Sequence, residues 1–123
     1  MATILVIEDD AMVRKFIVEA LTNSGHHVLE ADHGHAAAET VREHVVQLVI
    51  TDIIMPEKDG LEVILELRQV FPSLKVIAIS GGGLGDPTSY LRSASMLGAD
   101  CVLAKPFSCS ELLLAVDQML YDT

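Results

Sequence analysis

Charged and hydroxyl side chains stand wherever a short apolar run stops. Glu8-Asp9-Asp10 follows Ile4 to Ile7, and Thr51-Asp52 follows Leu48 to Ile50. Ser80-Gly81-Gly82-Gly83 follows Val76 to Ile79, and Lys105-Pro106 follows Cys101 to Ala104. If these ends lie together, Glu8, Asp9 and Asp52 converge, and three carboxylates in one crevice repel each other unless something neutralises them. A hard divalent cation with oxygen ligands does so, and Mg²⁺ keeps positions open for water and phosphate oxygens. The Lys105 ammonium and the Ser80 hydroxyl suit a phosphoryl oxygen. Each element alone has an ordinary structural reading: an acidic pair after a strand is usually a solvated helix cap, and a lone Asp there usually serves a turn. Lys-Pro and Ser-Gly-Gly-Gly are common loop sequences. The chemical reading therefore rests on finding all four at the ends of the right strands.

The apolar runs are too short for helices and rich in Val and Ile. Nearly continuous apolarity predicts strands buried on both faces, as in a parallel sheet. His27 to Ala31 alternates more and reads as a strand nearer an edge. Between the strands lie helical patterns. Val13, Phe16, Ile17, Ala20 and Leu21 form a stripe closed by Asn23 and Gly25. Ala37, Thr40, Val41 and His44 mark a weaker helix; Leu61, Ile64, Leu65, Arg68 and Phe71 mark another, ended by Pro72. Asp86-Pro87 opens a further helix, with Gly98 as its stop. Ser108 and Glu111 have capping-box spacing ahead of Leu112, Leu113, Val116 and Leu120. Five β-α units imply an α/β fold, a doubly wound five-stranded parallel sheet. In such sheets, ligands bind beyond the carboxyl ends of the strands, where the winding reverses. With the strand order 2-1-3-4-5, the first and third strands are neighbours there.

Composition narrows the function classes. The 123 residues carry 8 basic and 18 acidic side chains, a formal net charge of −10 that repels phosphate backbones and argues against direct nucleic-acid binding. No stretch without a charged residue is longer than Val76 to Gly85, which is about half of what a membrane span requires. No basic segment precedes Ile4 to Ile7, so no signal peptide is visible. Cys101 and Cys109 sit in apolar contexts without metal-ligand spacing and read as reduced packing thiols in a cytoplasmic protein. His26, His27, His33, His35 and His44 fit no standard metal motif and read as solvated.

Over its whole length, residues 1–123, the chain resembles the receiver domain of two-component response regulators, in the single-domain, CheY-like form without an output domain. The residues that carry the likeness are Ile4-Leu5-Val6-Ile7-Glu8-Asp9-Asp10, Thr51-Asp52-Ile53-Ile54-Met55-Pro56 with Asp59-Gly60, Ile79-Ser80-Gly81, and Lys105-Pro106-Phe107. The resemblance implies the 2-1-3-4-5 sheet of the doubly wound fold. It implies that Asp52 is the phosphoacceptor, and that Glu8 and Asp9 hold Mg²⁺, Asp9 more directly, with Asp52 and the Ile54 backbone carbonyl. Ser80 and Lys105 would contact the phosphoryl group. The implied partners are a sensor histidine kinase or histidine phosphotransferase as donor and an unidentified downstream protein, with neither direct nucleic-acid contact nor membrane insertion. The domain would catalyse only its own phosphorylation and dephosphorylation.

Three departures from the family pattern bear on switching. Val102 stands three positions before the lysine, where an aromatic residue is usual. Ile54 and Gly82 stand where polar residues often guide the hydrolytic water, so self-hydrolysis is expected not to be especially fast. The segment from Ser80 to Lys105 is somewhat long and carries Gly81, Gly82, Gly83 and Gly85. Two other functions use related parts. A haloacid-dehalogenase-like phosphohydrolase has an Asp nucleophile, but places it after the first strand as Asp-x-Asp. A flavodoxin-like FMN carrier has a Ser/Thr/Gly loop where this chain has Glu8-Asp9-Asp10.

Overall fold

The computed structural model describes residues 2–53, 60–80 and 98–121. Five strands, β1 (Thr3–Ile7), β2 (His27–Ala31), β3 (Leu48–Asp52), β4 (Lys75–Ser80) and β5 (Cys101–Ala104), form one parallel sheet in the order β2-β1-β3-β4-β5. Four helices are described: α1 (Ala11–Asn23), α2 (Ala37–Glu43), α3 (Gly60–Val70) and α4 (Cys109–Tyr121). The helix expected after Asp86-Pro87, the glycine-rich segment and Ile54 lie outside the described residues.

Alternation along the strands explains the two cores. Ile4 and Val6 face one side with Ile50, Ile77 and Ile79, where Ile17 and Leu21 of α1 and Leu112 and Val116 of α4 cover them. Leu5 and Ile7 face the other side with Val49, against Val41 of α2 and Val63 and Leu67 of α3. Because both faces are covered, the interiors of β1, β3 and β4 are apolar, and polar side chains stand only at their ends, as Thr3, Thr51-Asp52, Lys75 and Ser80.

Local signals fix the helix ends. Asp10 accepts from Met12 N and Val13 N at 2.9 and 3.3 Å, capping α1. That helix stops where Gly25 takes φ +89°. Ser108 and Glu111 form the reciprocal capping box, at 3.2 and 3.0 Å.

Three sequence expectations fail. The short β5 lies at the edge, as the 2-1-3-4-5 order requires, but it is not buried on both faces: Val102 is 38% exposed. Cys109 is exposed rather than packed: its spacing puts it on the side of Leu112 and Val116, but it is the first residue of α4, at the helix end. His26 is buried rather than solvated; its Nδ1 accepts from Ala2 N at 3.2 Å, satisfying the start of the chain beside β1.

Candidate functional site

Register brings the acidic residues together. Ile7 pairs with Thr51 across β1 and β3, so the next residues, Glu8 and Asp52, leave the sheet side by side. Glu8 N donates to Ala31 O at 3.0 Å, which continues the β1–β2 ladder one residue past the strand. On the other flank, Ser80 pairs with Ala104, and Lys105 N donates to Ser80 O at 2.7 Å. The Lys105–Pro106 peptide bond is cis. All four ends therefore open at the same edge of the sheet.

Gly60 explains how α3 comes so near this edge. Its N–H donates to Ile53 O at 2.7 Å, and a Cβ there would fall on the Asp52 carbonyl oxygen and 2.6 Å from Ile53 Cα. Any larger residue would push α3 away from the strand that carries Asp52.

Within the site, Lys105 Nζ lies 3.0 Å from Asp52 Oδ2 and 3.0 Å from Glu8 Oε1. Only the contact to Asp52 has hydrogen-bond direction; Glu8 Oε1 stays without such a bond although Glu8 is 1% exposed. Glu8 Oε2 accepts from Asp10 N at 3.1 Å. Glu8, Asp9 and Asp52 each offer an oxygen within 4.8 Å of the others. Burial pushes the Glu8 carboxyl up to about 7, helped by its hydrogen bond to Asp52 and by the Asp52 charge, while Lys105 and the Asp10 N–H pull it down. Burial alone would lower the Lys105 ammonium, but the Glu8 and Asp52 carboxylates outweigh it and raise it above its ordinary value. Lys105 is thus charged at neutral pH, and one ammonium faces three carboxyl groups.

This arrangement fits a hard divalent cation. Its donors are carboxylate oxygens, and among the described residues one buried acceptor has no hydrogen-bond partner and three carboxyl groups meet one ammonium. Asp10 is not one of the converging groups; its side chain is spent on the α1 cap. Ser80, at the end of β4, is 1% exposed, and its Oγ has no hydrogen-bond partner among the described residues. Such an orphan hydroxyl has an unmet capacity both to donate and to accept.

The family model for the response regulator receiver domain matches residues 4–117. The chain belongs to this family. As a receiver domain it is 37% identical over 123 residues to the response regulator receiver protein CpdR of Brucella abortus (strain 2308), covering 98% of each chain. It is 34% identical to the chemotaxis protein CheY of Bacillus subtilis (strain 168), covering 95% of this chain and 96% of that one. The receiver domain of NtrX from Brucella abortus has the same fold, with a TM-score of 0.90 at 29% identity over 98% of this chain and 99% of that one. The chain is therefore a receiver domain of the kind found in two-component systems, whose members interact with histidine kinases.

Of the residues singled out from sequence, Glu8, Asp9, Asp52 and Lys105 come together in the receiver's structure, and Ser80 ends the neighbouring strand. Ile54 is outside the described residues. One feature escaped sequence reasoning. Beside Lys105 a groove of about 460 Å³ opens between Met12, Val13 and Phe16 of α1 and Pro106 and Phe107. Met12 is 84% exposed, and the Phe16 and Phe107 rings lie 6.1 Å apart. Phe16 does lie on the apolar stripe of α1, but its position at the rim of the stripe leaves it half in solvent. No helix among the described residues is long and apolar enough to cross a membrane.

Proposed function

We propose that Asp52 is the phosphoacceptor of this receiver domain. An Asp52 carboxylate oxygen attacks the phosphorus of a phosphohistidine in line; the P–O bond forms as the P–N bond breaks, and the imidazole nitrogen leaves with the electron pair and takes a proton. Lys105 neutralises charge on the transferred group, and the unpartnered Ser80 hydroxyl can donate to one of its oxygens. Glu8, Asp9, Asp52 and the Ile54 backbone carbonyl would hold Mg²⁺, with Asp9 the most direct ligand. When bound, Mg²⁺ supplies positive charge against the phosphoryl oxygens. The observation that carries this reading is the partly buried Lys105 ammonium, 3.0 Å from both Glu8 and Asp52 and facing three carboxyl groups.

The donor is a sensor histidine kinase or a histidine phosphotransferase, and the apolar rim of Met12, Phe16 and Phe107 next to Lys105 supports docking of an amphipathic helical donor at this edge. The domain modifies itself and then presents its new state to a partner protein, in the cytoplasm where such donors work. The test is to incubate the chain with phosphoramidate, with and without Mg²⁺, and to map the acyl phosphate by mass spectrometry. Labelling should depend on Mg²⁺ and vanish in Asp52→Asn; equal labelling of that variant, or labelling indifferent to a chelator, would reject the assignment.

A further inference from the structure

The geometry points to Arg14 as a positioning residue that holds the Glu8-Asp9 turn in its cation-binding shape. This rests on the reading of that turn as a Mg²⁺ site. Arg14 lies in the first turn of α1, and its guanidinium reaches back across the turn. Nη1 donates to the Glu8 carbonyl oxygen at 2.7 Å, and Nε donates to Glu30 Oε1 at 3.3 Å. Glu30 sits on β2, paired in register with Val6 of β1. One planar group thus ties the main chain of Glu8 to both α1 and β2. Glu8 N is held from the opposite direction by Ala31 O. The peptide unit that fixes where Asp9 begins is therefore clamped on its carbonyl side by Arg14 alone among the described contacts.

The exposed ion pair with Glu30 contributes little by itself, since the two side chains are 21% and 52% exposed. The short charge-assisted bond to a carbonyl is the stronger contact, and only a guanidinium can make both at once from this position. Asp9 has no comparable anchor of its own: it is exposed, and its direction follows from the backbone that Arg14 holds. Loss of a group that orients a metal ligand from behind typically costs about 10- to 100-fold in metal affinity.

Charge and positioning make opposite forecasts here. A guanidinium near a cation site repels the cation, so if Arg14 acts by charge, removing it tightens Mg²⁺ binding. If it acts by holding the turn, removing it weakens binding. Arg14→Lys separates the two further, because it keeps the charge and loses the fork.

The experiment is a Mg²⁺ titration of the full chain followed by amide chemical shifts, at fixed pH and ionic strength, for wild type, Arg14→Gln and Arg14→Lys. Arg14→Gln should raise the Mg²⁺ Kd about ten-fold, the lower end for loss of an outer partner of a metal ligand. Arg14→Lys should also bind more weakly than wild type. In phosphoramidate labelling, the half-saturating Mg²⁺ concentration should rise while the rate at saturating Mg²⁺ stays near that of wild type. Tighter binding by Arg14→Gln, or wild-type binding by Arg14→Lys, overturns the role of Arg14 and leaves the site reading standing. A wild-type chain without Mg²⁺-dependent shifts overturns the site reading and this inference together. If Arg14→Gln does not fold, the more conservative Arg14→Lys still decides between positioning and charge.

Discussion

Two cations tie distant parts of the chain together, and they do so in opposite ways. At the amino end of β4, Arg68 donates to Pro72 O and Leu74 O at 2.7 and 2.8 Å, and to Gly98 O and Asp100 Oδ2 at 2.7 and 2.8 Å. Asp100 Oδ2 in turn accepts from Val76 N at 2.9 Å. Gly98 has φ +116°, and a Cβ there would press on the Arg68 side chain at 3.1 Å. Charge and hydrogen-bonding capacity are nearly used up, and that corner is finished. At the carboxyl end, among the described residues, Lys105 alone faces the carboxyl groups of Glu8, Asp9 and Asp52, and Glu8 Oε1 and Ser80 Oγ lack hydrogen-bond partners. Buried polar groups are normally satisfied, so an unsatisfied cluster marks a place where something else is meant to arrive. The satisfied corner is built for stability; the other leaves carboxylate oxygens and a hydroxyl open to the cation and phosphoryl group proposed above.

Deleting each cation tests that contrast. Arg68→Met should show the largest stability loss, on the order of 2–4 kcal/mol, because it strands an acidic group and several carbonyls. Added Mg²⁺ should not restore it, and Mg²⁺ affinity should stay within about two-fold of wild type, since the two ends are far apart and share no partner. Urea unfolding with and without Mg²⁺ measures both. Lys105→Met should cost less, about 1–2 kcal/mol in the absence of metal, because Glu8 can take up a proton in compensation. Here Mg²⁺ should recover most of the loss; failure to do so would mean that the pocket is not a cation site. Asp10→Ala should be the smallest of the three, about 1 kcal/mol for a lost helix cap, with Mg²⁺ affinity nearly unchanged. A large drop in Mg²⁺ affinity would place Asp10 among the ligands.

The sequence carries these two corners unequally. The acidic edge is legible because its groups sit one or two residues beyond apolar runs, and parallel topology then brings the ends together. The capping box of Ser108 and Glu111 and the stop at Gly25 are legible for a similar reason: each signal spans a few residues. Arg68 reads only as part of a helical pattern, since its partners lie up to 32 residues away. His26 reads as solvated because its partner, Ala2 N, is 24 residues distant. Cys109 is misread because the apolar stripe it belongs to is exposed at its first residue, where α4 begins. Val102 is expected from sequence to be buried on a two-sided strand, but it is 38% exposed on β5 at the sheet edge, which the strand's composition does not show.

The most direct test of the unsatisfied site compares the unfolding free energies of wild type and Glu8→Gln across pH 5 to 8, with and without Mg²⁺. The folded Glu8 value of about 7 lies above its ordinary 4.5, so the native chain holds this proton more tightly than the unfolded chain does. Its contribution to stability therefore falls as pH rises from about 4.5 through 7. Gln resembles the protonated carboxyl, so without metal the variant should match wild type near pH 5 and become more stable above pH 7, by on the order of 1–3 kcal/mol. Mg²⁺ should stabilise wild type more than the variant and close or reverse that gap. A difference that does not change with pH, or equal stabilisation of both proteins by Mg²⁺, would contradict the account.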